Sequence, residues 1–268
     1  MFNRRGRVMW WPILAFGLYG LYFYFSNRET VPLTGRKHIV DISREQEAAL
    51  GIQSYRQILN QSNIVRSGQT VDAVREIGRR IAAVSEDPGF KWEFNVIDSP
   101  QANAFCVPGG KVAVYTGILP ITKNADGLAV VMGHEIAHAI ARHGAERMAH
   151  QKLVQIGQLA TGVAVSDMDP DARRLVLGAF GMGAQFGVLL PFSREHESEA
   201  DYMGLIYVAR SCFNPEEAPR LWQRMGQAGG RGPAEFTSTH PSHETRIRQF
   251  QEWMPEALKI RQQSCPGR

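Results

Sequence analysis

Leu128-Ala129-Val130-Val131-Met132-Gly133-His134-Glu135-Ile136-Ala137-His138-Ala139-Ile140-Ala141 is the stretch that decides how this 268-residue chain is read. It is apolar, holds no proline, and is long enough to run as one helix. Residues four apart share a helix face, so the imidazoles of His134 and His138 project side by side. Two ligands need that spacing to grip one tetrahedral zinc ion. Glu135 lies one position round from His134, close enough to handle a water on the metal without ligating it. The rival reading is an amphipathic helix with ordinary surface histidines. It leaves unexplained why an almost wholly apolar helix carries three such polar residues.

A catalytic zinc site has three protein ligands and one open position. The third ligand is expected in Ser193-Arg194-Glu195-His196-Glu197-Ser198-Glu199-Ala200-Asp201, which follows Pro191 and leads into the apolar run 202–209. That context predicts a helix start with Ser193 as N-cap and acidic residues near the positive helix end. Glu197 and Asp201 are four apart, so one can bind the metal while the other orients a ligating histidine. Glu195 and Glu199 form a second pair of the same kind, and periodicity does not choose between the two.

Two further blocks are Asn103-Ala104-Phe105-Cys106-Val107-Pro108-Gly109-Gly110 and Ser238-Thr239-His240-Pro241 with Arg246-Ile247 downstream. In order and spacing the four blocks together resemble the HtpX–BepA group of zinc metallopeptidases, over roughly residues 35–255. Relatives of that group include the CAAX prenyl endopeptidases and the stress-activated protease of the mitochondrial inner membrane. The resemblance implies one Zn2+ held by His134, His138 and Glu197, with Glu135 as general base and Asp201 as the carboxylate behind a ligand. It implies His240 on a loop near the metal and Arg246 facing the site, both candidates for stabilising a developing oxyanion. It also implies that the strand at Asn103, Ala104 and Phe105 lines the cleft and pairs with an extended protein substrate. The implied fold is α+β and predominantly helical, a zincin-like metalloprotease domain with a small antiparallel sheet beside the active-site helix. The expected function is a membrane-anchored zinc endopeptidase acting on misfolded or membrane-associated envelope proteins. A zinc-stabilised chaperone-like or binding module is the alternative of a different class.

The rest of the chain supplies the setting. An apolar content of 44% is ordinary for a globular protein. Arg4, Arg5 and Arg7 precede an uncharged stretch from Val8 to Phe25, long enough to cross a bilayer with the basic end kept in the cytoplasm. The bulky Tyr22-Phe23-Tyr24-Phe25 argues for an uncleaved anchor rather than a signal peptide. These three arginines account for most of the net charge of +4, so the remainder is nearly neutral and nucleic acid is not an expected partner. The expected organisation is an anchor at 1–27, a linker at 28–42, a peptidase domain at 43–256 and a tail at 257–268. The expected location is a bacterial inner membrane with the catalytic domain in the periplasm, the mitochondrial intermembrane space being the alternative.

Local signals place the elements. Ser43-Arg44-Glu45-Gln46 reads as a capping box opening a helix to about Leu59. Val71, Val74, Ile77 and Ile81 mark a second helix, and Trp92, Phe94 and Val96 a strand. Residues 104–107 and 111–115 read as a hairpin around Pro108-Gly109-Gly110. Asn214-Pro215-Glu216-Glu217 starts another helix, after which a glycine-rich loop is expected to deliver His240. Two apolar stretches, Leu153–Val165 and Leu175–Phe192, stand out; the second is read as a helix packed beside the active site, since a span there by itself would carry Glu197 across the membrane from His134, and a lipid-touching surface is the alternative. Cys106 is expected to be packed in a strand, and Cys212 and Cys265 to be a candidate pair in an oxidising compartment. His143, His150 and His243 are expected to face solvent.

Overall fold

The computed structural model describes residues 8–228 and 243–267. In chain order its elements are α1 (Trp11–Ser26), β1 (Arg28–Thr30), β2 (Lys37–Ile39), α2 (Arg44–Asn60), β3 (Ile64–Val65), α3 (Gln69–Ala82), β4 (Glu93–Ile97), β5 (Ala104–Val107), β6 (Lys111–Tyr115), α4 (Leu119–Thr122), α5 (Ala125–Ile140), α6 (His143–Ala164), α7 (Pro170–Ala184), α8 (Leu190–Arg210), α9 (Glu217–Ala228) and α10 (His243–Ser264). They form two compact units. One holds residues 1–31, 35–41 and 143–195; the other holds 32–34, 42–142 and 196–268.

In the larger unit the expected signals produce the expected elements. Ser43 caps α2 reciprocally: its hydroxyl accepts from the Gln46 amide at 3.2 Å, and its own amide donates to Gln46 Oε1 at 3.1 Å. Val71, Val74, Ile77 and Ile81 form the buried stripe of α3. The sheet has the order β3-β4-β6-β5. The hairpin of β5 and β6 has the register Ala104↔Val114 to Val107↔Lys111. The sheet differs from expectation in one pairing, because β4 and β6 run parallel. After β4 the chain bypasses one strand position, lays β5 at the edge and returns through the tight turn, so β6 fills the gap in β4's direction. Tyr55 of α2 packs with Ile97 and Ala113 and donates its hydroxyl to Val112 O at 3.0 Å. On the opposite face Phe94 lies against Gly78 of α3, where an added Cβ would meet its ring at 2.2 Å.

α5 starts on an N-cap, Asn124, whose Oδ1 accepts from the Gly127 amide at 2.8 Å. It is buried along almost its whole length, as an all-round apolar helix must be. Arg142, at φ +59°, stops it. The Arg142 side chain is held by Glu47 Oε2 and Ile42 O, each at 2.7 Å.

The helix carrying the third block does not begin at Ser193. It runs without a break from Pro170 to Arg210, with a π-helical turn at Gln185–Leu189. The wider turn sends the Leu190 amide back to Gln185 O, and Pro191, which has no amide to donate, follows without breaking the helix. Cys212 and Cys265 are bonded, tying the end of α8 to the end of α10, so the segment expected as a tail is fastened to the fold.

In the smaller unit β1 pairs antiparallel with β2 (Glu29↔His38) within the stretch expected as a linker. α1 packs on α6, and α6 on α7. Two histidines expected at the surface are buried, His143 at 2% and His150 at 7% exposure. The reason for His150 is Glu146 on the same face, whose carboxylate takes both Arg36 nitrogens at 2.8 and 2.7 Å and His38 Nδ1 at 3.2 Å. Burying that acid requires such partners, and His150 lies beside it at 3.6 Å. The side chain of His243 lies outside the described residues. The 175–192 stretch is not a packed helix: Leu175, Met182 and Phe186 are 75%, 61% and 68% exposed.

The 53-residue separation of Cys212 and Cys265 sets an expectation for stability. Closing a loop of that length restrains the unfolded chain by about 4 kcal/mol at most, so the double substitution Cys212→Ser with Cys265→Ser should cost about 2–4 kcal/mol. Chemical denaturation of the two proteins side by side measures it.

Candidate metal centre

α5 presents His134 and His138 one turn apart, with their Nε2 atoms 3.1 Å from each other. Glu197 of α8 approaches the pair, its Oε2 3.4 Å from His134 Nε2 and its Oε1 3.4 Å from His138 Nε2. One ligand atom from each residue lies within 4.8 Å of the others, and among the described residues this is the one such group of three. A tetrahedral zinc ion with bonds of about 2.0–2.1 Å separates its donor atoms by roughly 3.3–3.4 Å. The three side chains therefore fit a single metal ion. Of the competing acids, Glu195 is exposed, and Glu199 accepts a hydrogen bond from Thr34.

Close approach of two backbones makes the convergence possible. A Cβ on Gly204 of α8 would stand 2.8 Å from His134 N and 3.0 Å from Gly133 C. A Cβ on Gly133 would stand 3.0 Å from Gly204 O. Neither glycine was singled out from the sequence, although a glycine inside an apolar helix is a packing signal.

Behind the histidines lies a charged layer. Asp201, one turn beyond Glu197, places Oδ1 3.0 Å from His134 Nδ1. An Nδ1–H donated to that carboxylate leaves the Nε2 lone pair directed at Glu197 and His138. Arg246 of α10 donates Nε and Nη2 to the two Asp201 oxygens, each at 2.5 Å, and Nη1 to Glu197 Oε2 at 3.1 Å. Its guanidinium carbon lies 3.4 Å from the centre of the Trp222 ring on α9. Nothing in the sequence pattern marked Trp222. Arg246 is 2% exposed, and these donors are committed to the residues around His134.

Burial by itself lowers the pKa of His134, yet hydrogen bonds to Asp201 and Glu197 outweigh it and hold the imidazole at about 9. At neutral pH a metal ion therefore displaces a proton on binding there. Burial likewise raises Asp201, and the charges of Arg246 and His134 overcome it and keep the carboxyl below its ordinary value. The Cys106 thiol is pushed well up, by burial and then by the negative charge of Glu135. Glu135, 5% exposed, lies on α5, the helix against which β5 packs. Ala104 and Phe105 lie in β5 at the edge of the sheet, and Asn103 precedes them, its carbonyl accepting from the Tyr115 amide at 3.0 Å. His240 and the loop after α9 lie outside the described residues.

The sequence profile of peptidase family M48 matches residues 69–254. The chain belongs to peptidase family M48. Mitochondrial metalloendopeptidase OMA1 of Schizosaccharomyces pombe is 39% identical over 267 residues, covering 98% of this chain and 77% of the relative. OMA1 of Homo sapiens is 31% identical over 266 residues, 94% of this chain and 51% of the relative. The beta-barrel assembly-enhancing protease of Escherichia coli strain K12 is 26% identical over 230 residues, 84% of this chain and 47% of the relative. This M48 chain is a metalloendopeptidase, and its fold is the expected helical α+β type.

Two substitutions test the architecture around the donors. Gly204→Ala should force α5 and α8 apart and lower metal affinity at least tenfold, whereas Gly144→Ala, with nothing within 4 Å of the added carbon, should leave it unchanged. Arg246→Lys keeps the charge but loses the two-pronged hold on Asp201, so activity should fall about 10–100-fold with the fold intact. Metal titration and peptide cleavage read both.

Proposed function

We propose that this protein is a membrane-anchored zinc endopeptidase that cleaves extended segments of misfolded or membrane-associated envelope proteins. The carrying observation is the convergence of His134, His138 and Glu197 at donor separations of 3.1–3.4 Å. Two imidazoles and one carboxylate are a donor set suited to catalytic zinc. A divalent ion held there supplies Lewis acidity to the scissile carbonyl and to the attacking water.

The remaining work falls to side chains. Glu135 takes a proton from the attacking water and passes it to the leaving amine. Asp201 holds His134 in the ligating tautomer, and Arg246 holds Asp201 and Glu197, acting as a positioning residue rather than as the oxyanion donor. His240 stays, on family resemblance, the candidate donor to the oxyanion. The edge strand β5, with Asn103, Ala104 and Phe105, offers backbone groups to which an extended substrate adds as a further strand. Such recognition reads backbone before side chain, which suits unfolded substrates. A binding or chaperone-like module has no need of an acid placed as Glu135 is.

The anchor is the uncharged segment around α1, whose Leu14, Leu18 and Phe25 are 66–70% exposed. The disulfide suits an oxidising compartment. We place the catalytic domain in the periplasm at a bacterial inner membrane; an intermembrane space facing a mitochondrial inner membrane meets the same requirements.

Glu135→Gln should retain zinc, measured by metal analysis, while cleavage of casein falls about 10²–10⁴-fold. Full proteolysis by that variant would remove Glu135 from the reaction. His138→Ala should lose the metal as well as the activity.

A further inference from the structure

Resting on the zinc peptidase reading above, we propose that Thr34, in the turn between β1 and β2, is a positioning residue for the metal centre. Its hydroxyl, by holding Glu199, fixes the rotation of α8 about its own axis and with it the reach of Glu197. Thr34 acts through Glu199 and α8 rather than by contact with the ion.

Glu199 lies two residues from the ligand Glu197 and two from Asp201. At about 100° per residue it stands roughly 200° round the helix from Glu197, facing away from the histidines. It is nonetheless only 7% exposed, and its Oε1 accepts a hydrogen bond from the Thr34 hydroxyl. An apolar side chain would fill such a place at no electrostatic cost. A buried carboxylate is costly unless bonded, and its bond is directional where apolar contact is not. On the side of the histidines Arg246 holds Glu197 and Asp201, and between the two sides Ser198 accepts from Gln249 Nε2 of α10 at 2.7 Å. The helical turn 197–201 is thus gripped from opposite sides, and Thr34 supplies the grip at the back.

The backbone that presents Thr34 is built for aim. The Thr34 amide donates to Pro32 O at 2.7 Å across Leu33, whose φ is +67°, a γ-turn of the rare and strained kind. A wider loop closes around it, with the Val31 amide donating to Arg36 O at 2.8 Å and the Gly35 amide to Val31 O at 3.0 Å. Strained backbone persists where its surroundings over-determine it. Residues 32–34 pack as part of the unit that holds the metal centre. Without the hydroxyl, Glu199 gains by turning towards water, and that rotation carries Glu197 away from His134 and His138. A displacement of about 1 Å at a reacting group can cost about a hundredfold in rate.

Zinc affinity, by competition with a chromophoric chelator, and peptide cleavage are measured on the full chain. Thr34→Val keeps the shape of the side chain and removes the hydroxyl, whereas Thr34→Ser keeps the hydroxyl. Ser43→Ala, which removes the cap of α2, is the control for a general loss of stability. Thr34→Val is expected to raise the zinc Kd and lower kcat by about tenfold or more, with KM within about twofold of the unaltered protein. Thr34→Ser and Ser43→Ala should each leave Kd and kcat within about twofold. An unchanged Kd or kcat in Thr34→Val overturns the proposal, as does an equal loss in Ser43→Ala or a failure of Thr34→Ser to restore both. Thr34→Ala takes the place of Thr34→Val should that variant lose cooperative melting. A chain that binds no zinc with Thr34 in place overturns the peptidase reading as well; one that binds it equally with and without the hydroxyl overturns the role of Thr34 alone.

Discussion

The metal centre depends on how closely two helices approach. Gly133 and Gly204 bring the backbones of α5 and α8 near enough that a methyl group on Gly204 would collide with main-chain atoms and one on Gly133 would crowd the Gly204 carbonyl. His134 follows the first glycine directly, and Glu197 stands about two turns before the second, so the crossing sets the reach of both ligand sets. Side chains of fixed length converge on one point only if the helices beneath them are held at one distance.

A second constraint is electrostatic. His134, Glu197 and Asp201 are buried together, with His138 half-buried beside them, and each charge would be costly there by itself. Arg246 offsets both carboxylates at once, and Trp222 covers its face, leaving the guanidinium little freedom. The layer that orients His134 is thus assembled from α8, α9 and α10. The disulfide between Cys212 and Cys265 fastens the last of these at its far end.

Helices of similar composition have opposite environments in this chain. α5 is apolar and almost wholly buried, while the stretch through α7 is apolar and almost wholly exposed. Hydropathy measures a preference to leave water and says nothing about whether protein or lipid receives the side chains. The reading of 175–192 as a packed helix erred for that reason. The reading of His150 as solvent-facing erred in the other direction: the buried Glu146 needed hydrogen-bonding partners, and His38 and Arg36, more than a hundred positions away in sequence, came to it.

Short-range rules made much of the molecule legible in the sequence. The capping box of α2, the stripe of α3, the turn between β5 and β6 and the paired histidines of α5 depend on neighbours within a few residues. Tertiary structure decided what depends on distant ones. Glu195, Glu197 and Glu199 are equivalent by periodicity, and only the angle at which α8 meets α5 turns Glu197 to the histidines, leaves Glu195 exposed and sends Glu199 to Thr34. Likewise, the parallel pairing of β4 with β6 and the stacking of Arg246 on Trp222 join residues that local periodicity does not connect. Spacing along a helix fixes which side chains share a face, whereas which face meets which partner is set by the packing of the whole chain.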